Sequence, residues 1–231
     1  PNSSDKLTGS IQCHGRLSDI SGYELPGKHN WSLVGTNAVG RVNLCAGTQS
    51  FVFSGRMYHD QNSSSLSLTQ LGIDKWIWGR FSCDNYEWIF YFVYAEDESI
   101  NRMILLRVDE DGNTKLFKNV RSYYTENKSS IYGLQYPQII QIKSGGTLIS
   151  ISLLHKVDDS PFYQRFIVLA NTNNKFGNGF VEQVVPPKIG ISWQQPFVRM
   201  KIHHLNDSNS FWLPLFTGDQ TGSFLKLLTK V

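Results

Sequence analysis

The sequence predicts an all-β protein, built as a sandwich or a barrel. Short apolar runs recur along the 231 residues, separated by turns rich in Gly, Asn and Asp. Aromatic residues make up 13% of the chain, which favours strands because aromatic side chains pack well on a pleated surface. No amphipathic helix is recognisable. We therefore expect residues 74–231 to form an up-and-down barrel, and residues 1–73 to be β-rich but irregular.

Three hairpins and two further strands are predicted, in order, in the second part of the chain. The aromatic strand WIFYFVY (88–94) precedes a hairpin in which NRMILLRV and TKLF flank DEDGN. In the next hairpin QYPQIIQI and TLISISLL flank KSGG, whose glycines can adopt positive φ. FYQRFIVL (162–169) is a single strand. PFVRMKIHH and FWLPLF flank LNDSNS in the last hairpin, and SFLKLLTKV closes the chain.

Charge and cysteine content exclude several classes of function. The net charge is +3 with no basic block, so nucleic acid is not an expected partner. An odd number of separated cysteines, Cys13, Cys45 and Cys83, argues against a disulfide framework and a zinc site. No signal peptide or apolar run of transmembrane length is visible. We expect a cytoplasmic location, while membrane association and secretion are left open.

Known catalytic fingerprints are absent, including G-x-S-x-G, the P-loop and the dinucleotide motif. His203 and His204 are adjacent in a predicted strand, so they point to opposite faces and do not favour a metal site. Two short segments are better candidates, HNW (29–31) and YHD (58–60). Residues i and i+2 of a strand share a face, so each segment presents two functional side chains together.

Four groups would converge if these strands line a cavity: His29, Trp31, Tyr58 and Asp60. Such a set could protonate an alkene, because burial of a carboxylic acid penalises its charged form. A tyrosine or histidine could relay the proton, and the indole face could stabilise a carbocation. The structural alternative is a tyrosine-corner-like contact in which Asp60 caps the turn at DQN.

A second i, i+2 set follows in IDKWIWGRF, where Trp76, Trp78 and Arg80 share a face. The interpretation we favour is a strand that joins two domains, with the arginine stacked on an indole. A catalytic role for these residues is the alternative.

The ordered motifs GKHNW, VFSGRMYHDQN, IDKWIWGRF and YFVYAEDES resemble the carotenoid 1,2-hydratase (hydroxyneurosporene synthase) family. That family has an H-x-W, then G-x-G-Y-[HF]-D-x-N, then W-x-W-G-R. The stretch from DSPFYQRF to SFWLPLF is similar to its C-terminal barrel. The resemblance implies two lipocalin-like (calycin) antiparallel β-domains with a ligand site between them. Residues 1–73 would be the C-terminal part of the first domain and carry both site motifs, and residues 74–231 would be the second, a lipocalin-like barrel.

The resemblance also implies a chemistry without cofactor or metal. Hydratases of this family add water to an alkene of an acyclic carotenoid by acid catalysis, and related Diels–Alderases use the same fold for cycloaddition. The residues carried over as catalytic are His29, Trp31, Tyr58 and Asp60. Substrate contacts are expected from aromatic and imidazole side chains, namely His59, Trp76, Trp78, Tyr163 and Trp193.

The chain departs from the family pattern at three places. Met57 stands where the motif has its second glycine, and Ser63 to Ser65 follow where a glycine is usual. Only 28 residues precede His29, whereas family members carry a much longer segment. Completion of the fold by a missing N-terminal segment or by a second chain is therefore left open.

Three hypotheses of function follow. The first is an enzyme that protonates an alkene of an apolar polyene, terpenoid or polyketide intermediate, leading to hydration or cyclisation. The second is a pericyclase that only shapes a polyene for cycloaddition. The third is a barrel that binds an apolar ligand without chemistry. An apolar small molecule is the expected partner in each, and association with a membrane surface is left open.

Overall fold

The computed structural model describes residues 7–14, 22–46, 48–191, 199–202 and 211–214. Antiparallel strands dominate these residues, as expected from the aromatic and β-branched runs. Helical structure in the described ranges is limited to short 3₁₀ turns, at Pro26–Lys28, Leu68–Gln70, Glu98–Ile100 and Pro186–Gly190. None of the helices in this part of the chain is long and apolar enough to cross a bilayer.

The first sheet has four strands, β1 (Leu7–His14), β2 (Tyr23–Leu25), β3 (His29–Ala46) and β4 (Gln49–Ser64). β3 pairs with β2 at its start, with β1 along its second half, and with β4. His29, Trp31 and Leu33 alternate along the first half of β3 and are all buried. This period of two is the pattern of a strand with one covered face.

The second sheet has nine antiparallel strands in the order β8-β7-β6-β5-β15-β14-β13-β12-β9. These strands are β5 (Ile73–Cys83), β6 (Tyr86–Ala95), β7 (Arg102–Val108), β8 (Thr114–Leu116), β9 (Arg121–Thr125), β12 (Ile139–Ser144), β13 (Thr147–Asp159), β14 (Tyr163–Thr172) and β15 (Lys175–Val184). β10 (Lys128–Ser129) pairs with β11 (Gln135–Tyr136), and β16 (Arg199–Ile202) pairs with β17 (Phe211–Pro214).

The nine-stranded sheet is curled, and this brings Tyr94 of β6 into contact with Ser122 and Tyr124 of β9. No pairing joins the end strands β8 and β9 among the described residues, so the sheet is a half-barrel. Its concave side is filled by a packed core that includes Phe90, Phe92 and many aliphatic side chains. The predicted all-β, lipocalin-like architecture is confirmed.

A second core lies on the convex side of β5, β6 and β7. Trp78, Ile89 and Tyr91 pack there with Trp31 and other buried side chains. β6 is therefore covered on both faces, which explains why WIFYFVY is apolar throughout and does not alternate.

The predicted hairpins are present. β7 and β8 pair across DEDGN, and β12 and β13 pair across Gly145, which has φ +56°. β14 and the paired strands β16 and β17 confirm the later predictions as far as the structure describes them. The loop of the last hairpin, His203, His204 and the closing SFLKLLTKV lie outside the described residues.

The sequence pattern did not identify β15, whose glycines interrupt the apolar run. Gly179 is required by a close strand contact, since a Cβ there would lie 2.0 Å from the Arg80 carbonyl oxygen of β5. Gly177 meets Ser82 in the same way. These glycines allow β15 to pair closely with β5.

The chain divides into two compact units. One comprises residues 1–15, 38–57 and 191–231, and the other comprises residues 16–37 and 58–190. The predicted division into two domains at residue 73 stays a prediction.

Candidate functional site

A cleft of about 780 Å³ lies on the convex side of the nine-stranded sheet, within the unit of residues 16–37 and 58–190. Its volume is within the usual range for small-molecule sites. The walls are mainly apolar and aromatic, with a few polar groups. The lining residues are His29, Tyr58, Asp60, Asn62, Leu68, Trp76, Trp78, Tyr91, Val157, Phe162, Tyr163, Arg165, Ile167, Phe180, Glu182 and Val184.

One carboxyl oxygen of Asp60 is held by two donors. Trp31 Nε1 donates to Asp60 Oδ2 at 2.7 Å, and the Tyr58 hydroxyl donates to the same oxygen at 3.1 Å. Within the described part of the chain, Asp60 Oδ1 has no hydrogen-bond partner. Tyr58 and Asp60 are two residues apart in β4, so the strand itself places both on one face. The arrangement fixes the carboxyl group and leaves one oxygen free for a ligand.

His29 begins β3 and forms a second polar group beside this carboxyl. Its Nε2 lies 2.9 Å from Asn62 Oδ1 and 3.2 Å from the Tyr91 hydroxyl oxygen. Which atom donates in each contact depends on the histidine tautomer. Burial lowers the pKa of His29, because removal from water disfavours the charged imidazolium. We expect a neutral imidazole at pH 7, able to bind water through a ring nitrogen.

Tyr58 and Tyr91, two of the tyrosines that line the cleft, remain neutral phenols. Burial, and then the charge of Asp60, raises the pKa of both Tyr58 and Tyr91 far above that of a free phenol. A phenol with a raised pKa keeps its proton at neutral pH. Tyr58 is therefore a stable hydrogen-bond donor to the carboxyl group.

Aromatic rings form the wall beside Asp60. The ring of Tyr58 lies 5.4 Å from that of Trp78, which in turn lies 5.4 Å from the ring of Phe180. The Arg80 guanidinium lies 4.9 Å from the centre of the Tyr58 ring and pairs with Glu87 at 3.1 Å. Ring faces of this kind attract a positive charge that develops nearby.

The structure brings together most of the residues singled out from sequence. His29, Tyr58, Asp60, Trp76, Trp78 and Tyr163 all line the cleft. Trp31 does not line it, since its side chain is 0% exposed, and its indole instead holds Asp60 from behind.

Two predicted substrate contacts are not placed in the cleft. His59 is exposed and is not among the lining residues, as expected for the residue between Tyr58 and Asp60 in a strand. Trp193 lies outside the described residues.

Two details of the structural interpretations are wrong. Asp60 does not cap a turn at DQN, because β4 continues to Ser64. Arg80 lies over the rings of Tyr58 and Phe180, so the predicted arginine–indole stack is replaced by contacts with other aromatic rings.

Sequence reasoning missed Asn62, Tyr91, Arg165 and Glu182. The i, i+2 rule could have found Asn62, which follows Asp60 on the same face of β4. The sequence pattern did not distinguish Tyr91 as a site residue, because it stands within a continuous apolar run. Arg165 and Glu182 meet only through the pairing of β14 with β15. Among the described residues, no three His, Cys, Asp or Glu side chains are grouped as metal ligands.

Solved structures share the fold. An AttH protein of Nitrosomonas europaea is 17% identical with a TM-score of 0.55, covering 77% of this chain and 59% of that one. Kievitone hydratase from Nectria haematococca is 12% identical with a TM-score of 0.55, covering 78% and 61%. CghA is 12% identical with a TM-score of 0.52, covering 80% and 62%. The chain thus spans about three-fifths of the length of these structures.

The comparisons by sequence give a family. No match was found among curated proteins. The model of the family described as carotenoid hydratase CrtC matches residues 3–207, which is most of the chain. The ordered motifs in residues 27–99 and the Asp60 site both fall within that match. The chain belongs to the carotenoid hydratase CrtC family.

Proposed function

We propose that this chain acts as a cofactor-independent hydratase or cyclase on an apolar polyene or terpenoid, with Asp60 as the proton donor. The observation that carries the proposal is the anchoring of Asp60 Oδ2 by Trp31 and Tyr58. Asp60 lines an apolar cleft, and its Oδ1 has no partner in the described part of the chain. Membership of a hydratase family supports the reaction type.

The proposed step begins with transfer of a proton from Asp60 Oδ1 to one alkene carbon. The alkene π pair forms the new C–H bond, and the neighbouring carbon becomes a cation. In hydration, a lone pair of water forms the C–O bond, and the proton lost by that water returns to the Asp60 carboxylate. In cyclisation, a second alkene supplies the electron pair, and loss of a proton from carbon regenerates the acid.

Each neighbouring group has a role in this scheme. The rings of Trp76 and Trp78 face the cleft and would stabilise the cation. The H-x-W motif predicted that Trp31 would stabilise the cation. Its indole is fully buried and donates to Asp60, so it is better suited to orienting the acid. A neutral His29 would hold the attacking water.

The test is a reaction in D₂O. Incubation with an acyclic carotene, and separately with the shorter terpenoid alcohol farnesol, should give a product that carries deuterium on carbon. A product without carbon-bound deuterium would rule out the acid step.

A pericyclase is the second candidate, supported by the similarity in fold to CghA, a Diels–Alderase. The cleft would then only hold a polyene in a reactive shape, and its gain would be orientational. In that case no proton reaches carbon. Replacement of Asp60 by asparagine would leave much of the activity, which separates this function from the first.

A further inference from the structure

A second polar cluster lies at the same cleft, with Tyr163, Arg165 and Glu182 on β14 and β15 and with Asp158 on the neighbouring β13. Arg165 Nε and Nη2 both approach Glu182 Oε1 at 2.9 Å. Arg165 Nη1 also lies 3.6 Å from Asp158 Oδ2. Tyr163, Arg165 and Glu182 line the cleft, whereas Asp158 does not. The acid mechanism uses none of these residues.

Strand register fixes where this cluster lies relative to the aromatic wall. Trp78 pairs with Glu182, Glu182 pairs with Arg165, and Arg165 pairs with Asp158 in one row across four strands. Glu182 is thus one strand spacing, roughly 5 Å, from Trp78. The apolar side chains of Ile167 and Val184 line the cleft on the same strands. A ligand beside Trp78 would therefore contact both the polar cluster and these apolar side chains.

The charges of the cluster decide which ligand group it fits. Two carboxylates, Glu182 and Asp158, share one guanidinium, which leaves a net charge of −1. The Glu182 side chain is 21% exposed, so it is partly desolvated. Burial, and then the charge of Glu182, raises the pKa of Tyr163, which stays a neutral phenol. The cluster can accept a hydrogen bond from a hydroxyl group, and it repels an anion.

We propose that Tyr163, Arg165 and Glu182 form a subsite that binds a hydroxyl or phenol group of the substrate. The substrate would then be an oxygenated polyene or terpenoid alcohol rather than a pure hydrocarbon. This inference rests on the proposed function, which identifies the end of the substrate that reacts. The subsite adds that the other end of the substrate carries a hydroxyl or phenol group. A site built to bind a hydroxyl group rejects analogues that lack it, because its own polar groups are then left unpaired.

The test uses three ligands that share one isoprenoid chain: farnesol, farnesyl methyl ether and farnesoic acid. Each displaces the fluorescent apolar probe N-phenyl-1-naphthylamine from the wild-type chain. We expect farnesol to bind roughly tenfold more tightly than the ether, which has lost its donor. We expect the acid to bind more weakly than farnesol as well. Equal binding of alcohol and ether, or tightest binding of the acid, would overturn the subsite.

Two variants test whether Glu182 is responsible for the preference for the alcohol. Glu182→Gln keeps the side-chain shape and removes the charge, so farnesol affinity should fall about fivefold while ether affinity stays unchanged. Asp158→Asn is the matched control, because Asp158 contacts the same Arg165 but does not line the cleft. An equal loss in both variants would contradict the assignment. Because probe displacement reports binding whether or not the ligand is converted, a failed deuterium test would not change this result, and a failed binding test would leave the acid step standing.

Discussion

At the scale of single residues, the site depends on how one carboxyl group is held. Trp31 and Tyr58 both donate to Asp60 Oδ2, and they come from different strands. A carboxyl group fixed in this way keeps one orientation toward the cleft, which is what a proton donor to carbon requires.

Asp60→Asn should abolish the acid reaction. Asparagine preserves the shape and can still accept the two hydrogen bonds, but it has no carboxyl proton to deliver. We expect kcat to fall by about 10²- to 10⁴-fold, with little change in the affinity for farnesol. Steady-state kinetics and probe displacement measure the two quantities. Retention of most activity would favour the pericyclase.

Tyr58→Phe removes the second hydrogen-bond donor to Asp60 and keeps the packing of the ring. Loss of the hydrogen bond to a carboxyl group should lower kcat by about tenfold, and KM should change little. Tyr136→Phe is the control, since that ring packs on Phe166 away from the cleft. A Tyr58→Phe enzyme with wild-type kcat would show that Trp31 alone is sufficient.

The buried His29 predicts a dependence of stability on pH. Its folded pKa is lowered below the ordinary value of 6.5, so between the two values the unfolded chain binds more protons. Stability should therefore be fully present above about pH 6.5 and should fall as the pH falls through this window. Thermal melts from pH 8 to 5 measure it, and His29→Gln should flatten the decline. An unchanged slope in that variant would exclude His29 as the cause.

At the scale of elements, the pairing of β5 with β15 sets the wall of the cleft. Gly179→Ala would bring a Cβ to 2.0 Å from the Arg80 carbonyl oxygen, so the two strands must separate. We expect a loss of about 1–3 kcal/mol in the free energy of unfolding, measured by denaturant melts. Gly146→Ala is the control, because nothing lies within 4 Å of its added Cβ. Equal stability of the two variants would refute the close-contact explanation.

The same elements show what the sequence could predict. Period-two spacing found the shared face of Tyr58 and Asp60, because strand geometry alone determines it. Turn residues found the β12–β13 hairpin for a similar local reason. β15 was missed because Gly177 and Gly179 are selected by a partner strand distant in sequence. Tyr91 and Glu182 reach the cleft only through tertiary pairing, which no local pattern contains.

At the scale of the whole molecule, a ligand that fills the cleft should stabilise the fold. Binding to the folded state alone contributes about 2.7 kcal/mol at a ligand concentration of 100 Kd. Farnesol should therefore raise the melting temperature of the wild-type chain. Ile167→Glu places a charge in the cleft wall and should remove the increase.

The matched control is Leu148→Glu. Leu148 is also exposed on the sheet, at 47%, but it does not line the cleft. It should leave the increase intact. Loss of the increase in both variants would mean that farnesol binds elsewhere.

The single available oxygen of Asp60 has a stereochemical consequence. With Oδ2 occupied by Trp31 and Tyr58, a proton can leave only from Oδ1, and it approaches the double bond from one side. The new carbon–hydrogen bond would then always form on the same prochiral face. A deuterated product should accordingly be a single enantiomer at that carbon.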